Sequence, residues 1–397
     1  MHEAETLPLT LDCLTRQSMD DFMVWICVNQ PDDWWADPGK KAICENNRQT
    51  LDYLNGLDTL PIKVLDRSSP GKGWSSRAYG VGLARKTTMD YINSFAQVDD
   101  LIVSLDADTW VGEEYLENVL EVFRKYPKAV ALSNPYYHRL TGDKYLDRAI
   151  LRYEIYMRHY VINMWRIGSP YQFTALGSAM AVPVWSYRKI GGMTPKKSGE
   201  DFYFLQKLRK TGWICNYNQS RVYPATRYSD RVFFGTGPAL IKGSQGNWKS
   251  YPIYSHILFD KIKEAYEKIP ELYLANTETP LSSFLREQFK NDDPLGPLRD
   301  NASSAEQFAR AFHEKLDGLR LLQFLKSYHD AAPRRDEENL MDFMQAFFAK
   351  KLETCFSSHE KALFCQLCFE SSSVELMDKI RNLLVEIETE YQQNDRP

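Results

Sequence analysis

The sequence has no long apolar run. No segment reaches the roughly 18 consecutive apolar residues that a membrane-spanning helix needs, and the opening residues MHEAETLPL are too acidic and polar for a secretory signal peptide. These two absences argue against an integral membrane protein and against an exported one. We therefore expect a cytoplasmic protein, either free or peripherally associated with the inner face of a membrane.

Cysteine is scarce and forms no framework. Seven cysteines occur in 397 residues, and their odd number and irregular spacing fit a reducing compartment better than a disulfide-stabilised protein. Cys365 and Cys368 form a Cys-x-x-Cys pair near Cys355 and His359, so a zinc site is one interpretation. No fourth ligand stands at a standard spacing and the same segment has a helical pattern, so we expect a helix there.

Charge of one sign is not in excess. The chain has 49 Lys and Arg against 53 Asp and Glu, a net charge of −4 and a pI near 6.0, which give no support to a nucleic-acid partner. The hydrophobic fraction of 43% and the charged fraction of 26% are ordinary for a globular protein. The length allows two or three domains.

Apolar runs of strand length alternate with amphipathic segments in the first part of the chain. Continuous apolar runs predict strands at 22–28, 61–65, 101–105 and 129–132, with a strand and turn at 174–184. Helical spacing of apolar residues predicts helices at 7–17, 40–56, 77–94, 113–125 and 144–166. This alternation indicates an α/β fold in which helices cover both faces of a mostly parallel sheet.

From about residue 255 the pattern changes to one helix after another, without a catalytic motif. We therefore predict two domains, an α/β domain over residues 1–254 and a helical accessory domain over 255–397. The predicted helix at 144–166 carries four arginines largely outside its apolar stripe, at positions 148, 152, 158 and 166. They could meet an anionic acceptor, but a solvated helix face is the ordinary interpretation.

Two carboxylates stand where one predicted strand ends. Asp106 and Asp108 follow the run LIVSL, and the strand period of two puts alternate side chains on one side of the backbone. Ligands of open α/β sheets bind outside the carboxyl ends of the strands. Because such oxygen ligands suit Mg²⁺ or Mn²⁺, which also hold substrate phosphates, we interpret the pair as a metal–diphosphate site. An Asp-rich turn is the alternative.

Three further features carry polar side chains. Ser198-Gly199-Glu200-Asp201 opens a predicted helix, where a capping box is the alternative to a catalytic role. A loop with Gly71, Lys72, Gly73 and Arg77 is a weak phosphate-binding pattern, because Gly-rich turns are common. A third loop places Arg227 and Arg231 before a Gly-Thr-Gly turn, and these arginines could instead pair with surface acids.

The order of these features resembles the inverting nucleotide-sugar transferases of glycosyltransferase family 2, which have the GT-A fold. The resemblance covers roughly residues 2–245 and includes the Gly177-Ser178 turn between the Asp-x-Asp and the Glu-Asp helix. It implies a nucleotide-sugar donor, a glycan or lipid-linked acceptor and Mn²⁺ or Mg²⁺ as cofactor. It does not extend to the Gln-x-x-Arg-Trp motif of the family's processive synthases, so we expect a non-processive enzyme of polysaccharide biosynthesis.

The resemblance also implies a role for each acid. Asp106 corresponds to the motif acid near the ribose and uridine, and Asp108 to the metal ligand under the diphosphate, with Asp106 as its neighbour at the metal. Asp201 corresponds to the general base, beside Glu200. The remaining nucleotide-sugar-binding positions that the resemblance implies are Asn29, Asp66, Lys72, Arg77, Gly177, Arg227 and Arg231.

Two departures from the family pattern stand out. Asn29 occupies a nucleobase-contact position at which the family often has Asp, so the base is less certain than the sugar-nucleotide class. The family usually begins with an apolar strand that ends in a Pro-x-x-Asn-Glu turn, and His2-Glu3-Ala4 looks like the tail of that turn. We therefore expect that the first strand is missing from this chain.

We expect a metal-dependent inverting glycosyltransferase that moves a hexosyl or N-acetylhexosaminyl group, with UDP as the expected nucleotide. A catalytically impaired relative that binds nucleotide-sugar is one alternative, and a sugar nucleotidyltransferase is another. The latter usually has a Gly-rich loop with Arg or Lys directly after its first strand, which is not visible here.

Overall fold

The computed structural model describes residues 2–229 and 235–396. It divides the chain into two compact units. The first, which we call the α/β unit, comprises Met1–Ile150, Phe173–Gln245 and Gln392–Pro397. The second, the helical unit, comprises Leu151–Gln172 and Gly246–Tyr391.

The α/β unit alternates strands and helices, which confirms the predicted α/β class. Its strands are β1 (Val24–Asn29), β2 (Ile62–Arg67), β3 (Leu101–Ser104), β4 (Thr109–Val111), β5 (Ala131–Ser133), β6 (Met180–Pro183), β7 (Ile214–Cys215) and β8 (Val222–Pro224). Its helices are α1 (Leu7–Thr15), α2 (Lys41–Asn55), α3 (Val81–Asn93), α4 (Tyr115–Lys125), the first turns of α5 (Lys144–Arg166), α6 (Val184–Lys189), α7 (Glu200–Arg209) and α8 (Thr236–Ser244), with a 3₁₀ segment at Asp32–Ala36.

The strands form three ladder systems. β1 and β2 pair in parallel, with Val28 opposite Asp66. The order β3-β6-β5-β7 makes a second sheet, with a parallel β5–β7 ladder and antiparallel β3–β6 and β5–β6 ladders. β4 and β8 pair antiparallel. The sites after β1 and β2 are therefore positioned by one ladder, and the site after β3 by another.

β1 and β3 belong to different sheets, although α3 packs against both strands. Within the described residues no ladder joins the two, so β1 has an open edge on the side opposite β2. This arrangement does not decide whether a further strand belongs there, and the missing first strand stays a prediction.

Apolar residues at strand and helix spacing build the core of the α/β unit. All four residues of β6 and all three of β5 are buried, as continuous apolar runs require. α4 buries Tyr115, Val119, Val122 and Phe123, which recur at the three- and four-residue spacing of one helix face. Each such side chain contributes about 1.5–3 kcal/mol when fully buried.

The helical unit confirms the predicted succession of helices. Its helices after α5 are α9 (His256–Glu267), α10 (Ile269–Leu274), α11 (Ser282–Phe289), α12 (Gly296–Asn301), α13 (Ala305–Lys315), α14 (Gly318–Ala331), α15 (Asp336–Cys355), α16 (Ser358–Cys365) and α17 (Val374–Asn394). No helix among the described residues is long and apolar enough to cross a membrane.

The helical unit does not begin at the predicted boundary. It starts at Gly246 rather than 255, and it also takes residues 151–172, most of which belong to α5. The physical reason is the apolar stripe of α5, because Leu151, Ile155 and Ile162 are fully buried in one cluster with α15 and α17. Sequence periodicity identified the stripe but not the partner against which it packs.

The arginines of α5 correct a second expectation. Arg152 is buried, pairs with Asp336 and donates to the carbonyl of Tyr251 at 3.0 Å. Arg158 is also buried and pairs with Glu154 and Glu388 on α17. These two arginines form ion pairs inside the helical unit, and they do not lie on a solvated face or at an acceptor site.

Candidate functional site

The turn between β3 and β4 presents Asp106 and Asp108. The amide of Thr109 donates to the carbonyl of Asp106 at 3.2 Å, which closes the turn. The Thr10 hydroxyl on α1 donates to the carbonyl of Ala107 at 3.0 Å. The amide of Ala225 donates to the carbonyl of Asp108, also at 3.0 Å. Three elements therefore fix the Asp-x-Asp backbone, more than a simple surface turn requires.

Arg85 on α3 lies at the centre of the site. Its guanidinium pairs with Asp106 through one terminal nitrogen and with Glu200 through the other. The arginine and Glu200 are 8% and 4% exposed, whereas Asp106 keeps 43% of its side-chain surface accessible. Asp201 adds a third negative charge near the same guanidinium. One buried cation thus gathers three of the predicted site acids.

Sequence reasoning missed Arg85, although a signal was present. The buried residues of α3 are Gly82, Arg85 and Met89, so a charged side chain stands at core-face spacing. Gly177 packs directly on this guanidinium, because a Cβ added there would lie 2.3 Å from Nη2 of Arg85. The absence of a side chain at Gly177 therefore leaves room for Arg85, and its predicted part in nucleotide-sugar binding stays a prediction.

Glu200 and Asp201 occupy the first turn of α7. The helix starts at Glu200 after Gly199, which has a left-handed φ of 71°, and no side chain caps it. The capping-box alternative is therefore wrong, since Ser198 is not the capping residue. Gly82 of α3 lies against this turn, where an added Cβ would be 3.1 Å from Cβ of Glu200. Close contact between the two helices brings the Glu-Asp pair to Arg85.

Burial controls the protonation of this acid pair. It raises the pKa of Glu200 to about 7, because desolvation and the charge of Asp201 outweigh the attraction of Arg85. Burial likewise raises the pKa of Asp201, against the opposing effects of Arg85 and of backbone amide hydrogen bonds. A carboxylate with a raised pKa is a stronger base than an ordinary surface acid.

Arg227 binds the second motif acid from the loop after β8. Its Nε donates to Oδ2 of Asp108 at 2.7 Å, and its Nη2 donates to Oε1 of Glu3 at 2.7 Å. Burial and the nearby Asp106 raise the pKa of Asp108, whereas Arg227 lowers it. Glu3 is a second residue that sequence reasoning did not assign to the site. Arg231 lies outside the described residues.

Asn29 is the last residue of β1, and Asp66 is the second-last residue of the neighbouring parallel strand β2. Asp66 accepts hydrogen bonds from the amides of Ser68 and Ser69, both at 3.0 Å. Burial acts to raise the pKa of Asp66, but these amides and Lys72 lower it below the usual range. Asn29 is 5% exposed, and its Oδ1 has no hydrogen-bond partner among the described residues. Asp66 is thus internally satisfied, whereas Asn29 retains a buried free acceptor.

The Gly-rich loop is held against the end of β1. Oδ1 of Asp32 accepts from the amides of Gly71 and Gly73 at 2.7 and 3.2 Å. A Cβ at Gly73 would lie 2.7 Å from the Asp32 backbone, so glycine is required there. Lys72 contacts Asp66 at 3.0 Å, and the exposed Arg77 forms no ion pair with any described residue. The loop therefore brings Lys72, but not Arg77, to a predicted partner.

Asp106 and Asp108 fit one kind of metal site. Within the described residues no group of three or more His, Cys, Asp or Glu side chains could hold a cation. Mg²⁺ usually needs only one or two carboxylates, with substrate phosphates and water completing its shell, and Mn²⁺ takes similar oxygen ligands. The two acids therefore fit a cation shared with a diphosphate, and not a cation held by the protein alone.

The family of this site follows from its central segment. Residues 101–243 match the model of "Glycosyl transferase family group 2". This segment belongs to that glycosyltransferase family. The matched residues include most of the site, namely Asp106, Asp108, Gly177, Glu200, Asp201 and Arg227. Arg85 precedes the glycosyltransferase segment and contacts the site acids from α3, and Asn29 and Asp66 precede it on β1 and β2.

Solved structures offer weaker likenesses. The chain has 11% identity and a TM-score of 0.37 to S. aureus TarS, covering 83% of this chain and 53% of that one. It therefore spans about half of that TarS chain. To S. aureus TarS 1–349 it has 13% identity and a TM-score of 0.33, and the match covers 99% of this chain and 89% of that one. A third structure is the mannosyltransferase PcManGT from Pyrobaculum calidifontis in complex with GDP-Man and Mn²⁺. The identity to it is 10% and the TM-score is 0.30, and the match covers 100% of both chains. Curated protein sequences give no match.

Proposed function

We propose that the chain is an inverting glycosyltransferase that moves a sugar from a nucleoside-diphosphate sugar to a hydroxyl group of a glycan or lipid-linked acceptor. The observation that carries the proposal is the convergence of Asp106, Glu200 and Asp201 on Arg85, beside Asp108, within a glycosyltransferase segment. The raised pKa values of Glu200 and Asp201 suit proton transfer. Asp106 and Asp108 follow the carboxyl end of β3, where ligands of α/β sheets bind.

Asp201 is the general base of the proposed reaction. An acceptor hydroxyl is a poor nucleophile until a carboxylate takes its proton. Glu200 is buried and bound to Arg85, whereas Asp201 is only partly buried and can face a substrate. Attack from the side opposite the leaving diphosphate inverts the anomeric carbon. Arg85 keeps the acids together and limits their protonation at neutral pH.

The leaving diphosphate is stabilised on the other side of the site. A divalent cation bound to Asp106 and Asp108 would supply Lewis-acid stabilisation of the departing phosphate oxygens. Arg227 is 30% exposed while paired with Asp108 and Glu3, so its guanidinium is accessible to a phosphate group. Charge-assisted hydrogen bonds from Arg227 then add to the binding of the leaving group.

The nucleobase is proposed to contact Asn29. A buried acceptor without a donor costs about 1–3 kcal/mol, and a ligand N–H group would recover this energy. The N3–H of uracil is such a donor, so UDP, the nucleotide we propose, fits this position; the N1–H of guanine in GDP is another such donor, which is why both nucleotides are compared. The matched test is Asn29→Leu, which removes the acceptor, with the affinities for UDP and for GDP measured side by side.

The transferase proposal is tested by incubating the protein with Mn²⁺ or Mg²⁺, a panel of nucleotide-sugars and acceptors, and measuring nucleoside diphosphate release. Asp201→Asn should lower the rate by about 10²–10⁴-fold, and Asp108→Asn should also reduce it strongly. Asp99→Asn is the matched control, because Asp99 is exposed and lies at the opposite end of β3. Full activity of Asp201→Asn would contradict the assigned base.

A transferase-like protein that binds nucleotide-sugar without turnover is the second candidate. It is favoured by the open edge of β1 beside the site and by the arginines that already occupy both motif acids. Binding of nucleotide-sugar without diphosphate release, with an acceptor present, would select it. Release of pyrophosphate would instead indicate a sugar nucleotidyltransferase.

A further inference from the structure

Two aromatic rings and two lysines form a cluster on the loops beside the acid pair. The rings of Trp34 and Tyr79 meet edge to face with centroids 5.6 Å apart. Nζ of Lys40 lies 5.2 Å from the Trp34 ring centre, and Nζ of Lys197 lies 5.1 Å from that of Tyr79. These four residues, the basic rim, come from the segment after β1, the loop before α3 and the loop before α7.

The basic rim borders the proposed base. Lys197 lies four residues before Asp201 in the sequence, and its neighbour Lys196 packs against Gly82 of α3. A Cβ added to Gly82 would lie 2.1 Å from the carbonyl oxygen of Lys196 and 3.1 Å from Cβ of Glu200. The loop that carries Lys197 is therefore fixed at the start of α7. Lys197 therefore lies near the acid pair at the start of α7.

The charge of the basic rim is not neutralised by the protein. Among the described residues, no carboxylate forms an ion pair with Lys40, Lys196 or Lys197, whereas Lys72 of the neighbouring loop pairs with Asp66. Lys40 and Lys197 lie over the two rings, although Asp33 and Asp37 of the same segment after β1 are also exposed. Free cations beside a cleft attract anions.

We propose that the basic rim binds an acceptor glycan that carries anionic groups, phosphate or carboxylate. This inference rests on the proposed transferase function. The acceptor hydroxyl must lie within hydrogen-bond reach of the base, so the acceptor belongs on the Asp201 side. Half-buried rings suit the apolar face of a sugar, and lysines beside them suit its anionic substituents. The donor diphosphate is held elsewhere, by Arg227 and the motif acids.

Calorimetric titration of the full chain with three matched probes tests the basic rim. The probes are maltohexaose, phosphorylated maltohexaose and a six-unit oligogalacturonate. The anionic probes should bind more tightly than the neutral one, and the stronger of the two identifies the phosphate or the carboxylate. Lys40→Gln with Lys197→Gln should weaken anionic binding by about tenfold and remove much of its salt dependence.

The control replaces the same number of lysines elsewhere. Lys63→Gln with Lys128→Gln alters two exposed lysines that form no ion pair with any described residue. It should leave the anionic preference intact. Equal affinities for neutral and anionic probes, or equal losses in the two double variants, would overturn the proposal.

Donor chemistry is measured separately on the wild-type chain as nucleoside diphosphate release from nucleotide-sugar, with acceptor glycans and with water alone. Nucleoside diphosphate release together with equal affinities for the three glycan probes overturns the proposal for the basic rim and leaves the transferase function in place. Discrimination without release under any donor condition supports the rim as an anion-binding surface and overturns the transferase function.

Discussion

Arg85 is the side chain whose removal should affect the candidate site most. It is 8% exposed and pairs with Asp106 and with Glu200, which is 4% exposed. Arg85→Met keeps most of the aliphatic volume but leaves buried carboxylates without their counter-charge. Breaking a buried pair by removing one partner costs about 3–5 kcal/mol, and we expect a loss of that size in the free energy of unfolding at neutral pH.

The loss should depend on pH in a definite direction. The pKa of Glu200 is about 7 in the folded protein against an ordinary 4.5, so the folded state binds this proton more tightly than the unfolded chain. Arg85 lowers this pKa, and its removal raises it further. A raised carboxylate pKa makes stability fall as pH rises from about 4.5 through the folded pKa. The destabilisation by Arg85→Met should therefore be smallest in acid and largest above neutrality.

Urea denaturation followed by tryptophan fluorescence at about pH 5 and about pH 8 measures both quantities. Adding Glu200→Gln to Arg85→Met should recover part of the loss, because the double variant no longer buries that charge. Arg124→Met is the control, since Arg124 pairs with Glu121 while 63% exposed and should cost at most about 1 kcal/mol. Equal losses for the two arginine variants, or a loss independent of pH, would refute the reasoning.

Three other outcomes are expected. Gly177→Ala should slow diphosphate release by about 10²-fold through displacement of Arg85, whereas Gly112→Ala, whose Cβ meets open space, should not. The rate should rise with pH from acid towards neutrality, because burial raises the pKa of the proposed base Asp201 and keeps it protonated in acid; a rate independent of pH would contradict this. Hydrogen exchange should be faster at odd-numbered amides of β1, on its open edge, than at even-numbered amides, which face β2; equal protection would contradict the open edge.

Local periodicity was enough to predict most elements that carry the site. The helix predicted at 144–166 has those bounds in the structure, and the strand before Asp106 is in place. Apolar spacing specifies these elements because each buries one face or one run of side chains. The same reasoning predicted strands that lead directly to Asn29 and Asp66.

What the pattern could not give was the pairing of buried charges. A charged residue on a helix is normally solvated, so the sequence pattern favours a surface position for Arg152 and Arg158. In the structure Arg152 pairs with Asp336 of α15, and Arg158 pairs with Glu388 of α17. Arg85 was missed for the same reason, because its partners lie 21 and 115 positions away in the chain. Contacts at such separations depend on tertiary packing, which periodicity does not encode.

The acidity of the site gives a reason to expect metal dependence. Asp106, Asp108, Glu200, Asp201 and Glu3 are five carboxylates, and the guanidinium groups of Arg85 and Arg227 pair with members of this group. A diphosphate would add further negative charge beside the motif acids. We therefore expect a divalent cation at the motif acids to assist donor binding at neutral pH, because carboxylate and phosphate oxygens both bind such a cation. Omission of the cation should consequently weaken donor affinity itself, in addition to slowing the chemical step.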